Sequence, residues 1–252
     1  MTASPSSKTS GRRGSVLIVD LDTALNRALD EELRACQLSV SYAPSMESAS
    51  RVIGADAGIP ATVLIPESLI CADTFEEELT ALRIRTGAAS LVPVAIGRRP
   101  DEARRNELRA AGIRLALFGR FGRHTLRFQI NRALSPFATR SLRGELRGPM
   151  EWRTRTYCTG REKAVRCYSL STRGAYFVTP RPWVVGSELD LELPLGGRER
   201  RVQGRVLYTK QNDGLDRPGL PGGMAVAFEP LANGLREVIK QDLSQSRYGL
   251  EV

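Results

Sequence analysis

The hydrophobic pattern of this 252-residue chain changes its period once, near residue 135, and that change limits the folds open to it. Before it, short apolar runs alternate with stretches whose apolar residues recur every three or four positions. "SVLIVD" (15–20) is a near-continuous Val/Ile/Leu run, as expected of a strand buried on both faces. Leu25, Leu29, Leu33 and Cys36 follow on one helical face. "LSVSYA" (38–43), "ATVLIP" (61–66), "LVPVAIG" (91–97) and "RLALFG" (114–119) repeat the strand signal. Helical stretches at 47–54, 74–85, 100–112 and 123–134 separate or follow them. Five strands alternating with five helices predict a doubly wound parallel sheet with helices on both faces.

After "PFATRSL" (136–142), where a proline and the loss of periodicity mark a linker, the period becomes two. Runs at 150–158, 164–170, 175–180, 187–194, 200–210 and 224–230 alternate apolar and polar residues between Gly/Pro-rich turns. Six short strands in about ninety residues predict a small antiparallel β-barrel. "ANGLREVIKQDLSQ" (232–245) closes the pattern as an amphipathic helix, with Leu235, Val238, Ile239 and Leu243 on one side. The expected organisation is a disordered tail at 1–13, an α/β domain at 14–135, a linker at 136–142, a β domain at 143–231, and a C-terminal helix and tail at 232–252.

Composition narrows the function. His124 is the single histidine, so a histidine-based triad or a multi-histidine metal site is improbable, and neither catalytic nor metal-binding residues are assigned. The four cysteines lack CxxC spacing and no secretion signal precedes them, which predicts buried, reduced thiols in a cytoplasmic protein. No apolar run approaches about 18 residues, so membrane insertion is not expected. The net charge is +9, and 33 of the 37 basic residues are arginine. A GC-rich genome alone can raise arginine content, so clustering is the more informative signal. Between Arg140 and Arg181 ten basic residues face three acidic ones, which marks this segment for an anionic partner or a solvated basic face.

The first half resembles the receiver domain of response regulators over residues 15–135, carried by the order and lengths of its elements and by "GIRLALFGRFGRHTL". The resemblance implies a phosphorylation site that this chain has lost. Asp20-Leu21-Asp22 breaks the family's adjacent acidic pair. Pro66 stands at the phospho-acceptor position, Gly97 at the switch Ser/Thr and Gly119 at the lysine. A pseudo-receiver used for docking or dimerisation is the implied role. Asp20 and Asp22 are better read as carboxylates at a helix N-terminus than as a residual metal site.

The second half resembles the PilZ domain, which binds cyclic di-GMP, over residues 143–231. "RGELR" (143–147) matches the family's RxxxR. After 21 residues "SLSTRG" (169–174), read as a short polar loop between two strands, matches its [D/N]xSxxG, with Ser169 in place of the acid or amide. RxxxR alone carries little information, since Arg105/Arg109, Arg123/Arg127 and Arg201/Arg205 repeat it. Its place after the linker, at the family's distance from SxxG, is what counts. The resemblance implies a ligand site of Arg143, Arg147, Ser169, Ser171 and Gly174. The mobile arginine pair would clamp phosphate and guanine, Ser171 would supply a hydroxyl, and Gly174 a left-handed backbone angle and close ligand approach. Exchanging a charged acceptor for Ser169 costs about 1.5–3 kcal/mol, roughly tenfold to a hundredfold in affinity.

The expected function is a non-enzymatic, cytoplasmic signalling protein that binds cyclic di-GMP, needs no cofactor and relays the signal to an unidentified protein partner. The alternative is a degenerate PilZ/pseudo-receiver protein that binds no nucleotide and acts only through protein contacts, for example in motility or surface behaviour. Specific DNA binding is disfavoured because no helix-turn-helix follows the receiver-like half. Homodimerisation stays open.

Overall fold

The computed structural model describes residues 14–19, 23–53, 61–134, 147–211 and 220–244. The expected tail at 1–13, Asp20, Asp22, the linker at 136–142 and Arg143 lie outside the described residues.

The first half is built from β1 (Ser15–Val19), α1 (Thr23–Ala35), β2 (Ser39–Ala43), α2 (Met46–Ile53), β3 (Thr62–Pro66), α3 (Phe75–Thr86), β4 (Val92–Gly97), α4 (Glu102–Ala110), β5 (Leu115–Phe118) and α5 (Arg123–Ala133). All five strands are parallel, in the order β2-β1-β3-β4-β5, which is the doubly wound arrangement expected of a receiver. Strand alternation separates two cores. Leu17 and Val19 join Phe75, Leu79, Leu82 and Leu108 on the face of α3 and α4. Val16 and Ile18 join Leu29, Leu33, Leu126 and Ile130 on the face of α1 and α5.

Two helices end as their local sequences dictate. α3 has three glutamates in its first turn and Arg83 and Arg85 in its last, complementing the helix dipole, and stops at Gly87 with φ of 67°. α4 starts at Asp101, whose side chain accepts from Arg104 N at 2.8 Å. α5 is different. Its N-cap is Gly122, which offers no capping side chain of its own.

The second half comprises β6 (Arg147–Pro149), β7 (Arg153–Cys158), β8 (Arg161–Ser171), β9 (Gly174–Val178), β10 (Glu188–Leu195), β11 (Arg198–Lys210), β12 (Gly223–Phe228) and α6 (Asn233–Ser244). The sheet runs β6-β8-β7-β10-β11-β12-β9, and pairing of β8 with β9 closes β7 to β12 into a six-stranded antiparallel barrel. β6 adds a short seventh strand on β8. Two hairpins turn at consecutive residues with positive φ, Thr159-Gly160 and Gly196-Gly197, the signature of type I′ turns whose twist matches the strands. Val165, Cys167, Leu170, Phe177, Leu191, Leu193, Val202, Val206, Met224 and Val226 fill the interior. Ile239 and Leu243 of α6 close this core, while Asp242 accepts from Gly196 N at 2.9 Å and ties the helix to the β10–β11 turn. Trp183 also packs there and donates from Nε1 to Thr156 Oγ1 at 2.8 Å.

The expectation of buried thiols needs correction. All four cysteines are free, but only Cys167 is buried; Cys71 lies exposed ahead of α3, and Cys36 and Cys158 are partly exposed. Burial pushes the Cys167 thiol up to about 12. A maleimide should therefore label Cys71 first in the native protein and Cys167 only after unfolding. Mass spectrometry of labelled peptides over time checks this, and early modification of Cys167 would contradict the barrel packing.

Candidate functional site

The motif stretch is not a loop. β8 continues through Ser169 to Ser171 and β9 begins at Gly174, leaving Thr172-Arg173 as the turn of a tight hairpin. Ser171 Oγ donates to Gly174 O at 3.1 Å and accepts from Arg173 N at 3.4 Å, so this hydroxyl is used to close the turn. The expected left-handed angle at Gly174 is also absent, since its φ is not among the positive values. Glycine is needed there because a Cβ would overlap the backbone carbonyl oxygen of Val226 on β12.

The register brings the second arginine of RxxxR to this hairpin. Arg147 opens β6 opposite Ser171, with Pro149 opposite Ser169. Arg147 Nη1 donates to Ser169 Oγ at 3.4 Å. Arg147 thus sits in a strand rather than in the flexible segment expected of it. The structure joins Arg147, Ser169, Ser171 and Gly174 at one edge of the barrel, while Arg143 lies outside the described residues.

A bulge between Cys167 and Ser169 decides which way these side chains face. Cys167 and Leu170 belong to the barrel interior. Tyr168 lies in a separate cluster with Tyr176, Ala225 and Phe128 on the outer face, and Ser169 stands opposite Tyr176. The extra residue therefore places Tyr168 and Ser169 together on the outside.

That outer face is covered by α5. The rings of His124 and Phe128 each meet Tyr168 edge-on with centroids 5.9 Å apart, and Asn131 Nδ2 donates to Tyr168 Oη at 3.3 Å. Glu151, just before β7, supplies the missing cap of α5. Its Oε1 accepts from Thr125 Oγ1 at 3.0 Å and from Thr125 N at 3.4 Å, and a Cβ at Gly122 would overlap the carboxylate. A carboxylate from one half thus stabilises the positive end of a helix in the other. Burial, followed by the Arg166 guanidinium, holds His124 below the usual histidine range, and burial raises the Tyr168 phenol. Sequence reasoning missed Glu151 and Tyr168 as junction residues. The one local signal was Gly122 itself, a helix start without a cap.

At the carboxyl edge of the parallel sheet, beside Pro66 and Gly97, an ion pair fills the space. A Cβ at Gly97 would overlap the side chain of Glu67, the residue after Pro66. Arg104 of α4 reaches that carboxylate at 3.6 Å and donates to the carbonyls of Glu67 and, at 2.8 Å, Ile70. Hydrogen bonding to Glu107 raises the Arg104 pKa, so the clamp stays charged. Among the described residues no three His, Cys, Asp or Glu side chains are grouped to hold a metal ion.

Comparison with known proteins finds a family match within the second half and structural neighbours of low identity. No curated protein matches it. Among solved structures, the chemotaxis protein CheY4 of Vibrio cholerae is 18% identical, covering 48% of this chain and 98% of its own, with a TM-score of 0.39. Borreliella burgdorferi PlzA, solved in complex with c-di-GMP, is 12% identical over 36% of this chain and 32% of its own, with a TM-score of 0.28. The Bacillus subtilis inhibitor of motility MotI/DgrA is 18% identical over 41% of this chain and 50% of its own, with a TM-score of 0.32. This chain therefore spans a third of PlzA and half of MotI/DgrA. With the barrel closed by a C-terminal helix, Arg147 of RxxxR joined to the SxxG hairpin across β6 and β8, and the family pattern matched over residues 141–245, that segment is a PilZ domain.

Proposed function

We propose that this chain is a non-enzymatic, cytoplasmic regulator whose PilZ domain binds cyclic di-GMP and passes the signal to a protein partner through its receiver-like half. The observation that carries the reading is Arg147 in register opposite Ser171 with its guanidinium at Ser169 Oγ. The planar fork that touches Ser169 Oγ at 3.4 Å is of the kind that can hold a phosphate through two parallel, charge-assisted hydrogen bonds. Arg143, four residues earlier, would supply the second cation. Partner relay fits a parallel-sheet half whose lost phosphorylation site is locked by Glu67 and Arg104.

A second reading rests on a different observation. Ser169 and Ser171 are only 2% and 3% exposed, and Ser171 is committed to its turn, as suits a domain that no longer binds nucleotide. Calorimetry of the full chain against cyclic di-GMP separates the two. Binding is expected for the natural sequence, with a loss of at least about tenfold in Arg143→Ala/Arg147→Ala. Ser169→Asp should restore the charged acceptor and tighten binding by roughly tenfold to a hundredfold. Silence of both the natural chain and Ser169→Asp at high ligand concentration would leave the docking protein as the reading.

A further inference from the structure

We propose that α5 is a lid on the nucleotide face of the PilZ barrel, so that docking of α5 and binding of the cyclic dinucleotide compete. The proposal rests on the nucleotide-binding reading above and adds how that site is regulated.

Outward positions of a small barrel normally meet water, and those of β7, β10 and β11 do: Arg155, Glu188, Asp190, Gln203 and Arg205 are exposed. The outer face at the motif does not follow this rule. Tyr168 is 2% exposed and Tyr176 1%, beside the nearly buried Ser169. Phe128 of α5, itself 6% exposed, lies against Tyr168. Tyr168 and Ser169 share the bulge, and α5 packs against both β6 and β8, so the helix that clamps the tyrosine also crowds the approach to the serine. A ligand with two guanines and two phosphates cannot reach Ser169 Oγ and the Arg147 fork while this roof is in place.

The roof is built to come off. Phe128 belongs to the small outer cluster with Tyr168, Tyr176 and Ala225, not to the cores on either side of the parallel sheet. Among the described residues the further ties include the Glu151 cap on Thr125, the edge contact of His124 with Tyr168 and the Asn131–Tyr168 hydrogen bond. Such an interface separates at modest cost, unlike the packed cores it joins. The charges favour exchange as well. Arg166 raises the cost of a proton on His124 at this junction, and Arg147 sits at its edge, so an entering dianion would be drawn to arginine side chains here. Ligand bound to the exposed face would then release α5, and with it the receiver-like half, to a partner.

Calorimetry on full-length variants tests this, with hydrogen–deuterium exchange as a second readout. Phe128→Ala and Glu151→Ala are expected to bind cyclic di-GMP about threefold to tenfold more tightly than the natural chain, with Phe128→Leu in between. Adding ligand to the natural chain should speed exchange at amides 123–133. Equal or weaker binding in both variants, with Arg147→Ala still impaired, would overturn the lid while leaving the binding site standing. Silence of every variant would overturn the site and the lid together. Unchanged exchange in α5 at saturating ligand would overturn the lid even if affinities rose.

Discussion

Gly174→Ala is expected to lower the stability of the PilZ domain by about 1–3 kcal/mol, visible as an earlier urea midpoint in the absence of any ligand. β9 and β12 run so close at this point that an added methyl would overlap the Val226 carbonyl oxygen, which is backbone held in the ladder and cannot swing aside. The same reasoning covers Gly223, against the Phe177 carbonyl, and Gly204, against that of Ala227. Gly160→Ala is the control: its Cβ would meet open space, and only the cost of its φ of 77° applies. The comparison matters for function, because a Gly174 variant that fails to bind nucleotide says nothing about ligand contact if the barrel itself is weakened. A Gly174→Ala protein with natural stability and lost binding would instead return this glycine to the ligand.

Phe177→Ala is expected to cost more, about 3–5 kcal/mol, and to do so in the barrel alone. Its ring is fully buried among Cys167, Leu170, Met224 and Val226, where a void cannot be filled by rigid neighbouring strands. The chain provides a direct readout, since both tryptophans, Trp152 and Trp183, pack against the barrel core. Tryptophan fluorescence should therefore report barrel unfolding at a lower denaturant concentration than in the natural protein. Far-ultraviolet circular dichroism, dominated by α1 to α5, should retain a transition close to the original. If both signals shift together, the α5 contact couples the two halves more strongly than the Glu151 cap, the Asn131 hydrogen bond and the Tyr168 cluster imply by themselves.

Most of the architecture was legible before any coordinates. Continuous runs such as "SVLIVD" announced strands buried on both faces, and strict alternation in "SELDLELP" announced strands with one wet face. Boundaries shifted by a few residues, as where the strand expected at 164–170 runs from Arg161 to Ser171. The larger error lay in the motif. "SLSTRG" has the polar composition of a loop, yet long-range pairing with β6 and β9 holds all but two of its residues in strands. The glycine was expected to serve a ligand, and it serves the neighbouring strand.

What the letters determined alone were the two periods and the resemblance to a PilZ domain, because these are carried by the order and spacing of residues along the chain. Only the folded molecule decided that Glu151 caps α5, that Tyr168 turns outward to meet Phe128 of α5, and that Glu67 and Arg104 pair at the carboxyl edge of the parallel sheet. Each of these is a meeting of side chains dozens of residues apart, selected by a bulge, an uncapped helix end or a missing Cβ. No local pattern encodes such a meeting, since its energy exists only once both surfaces are in place.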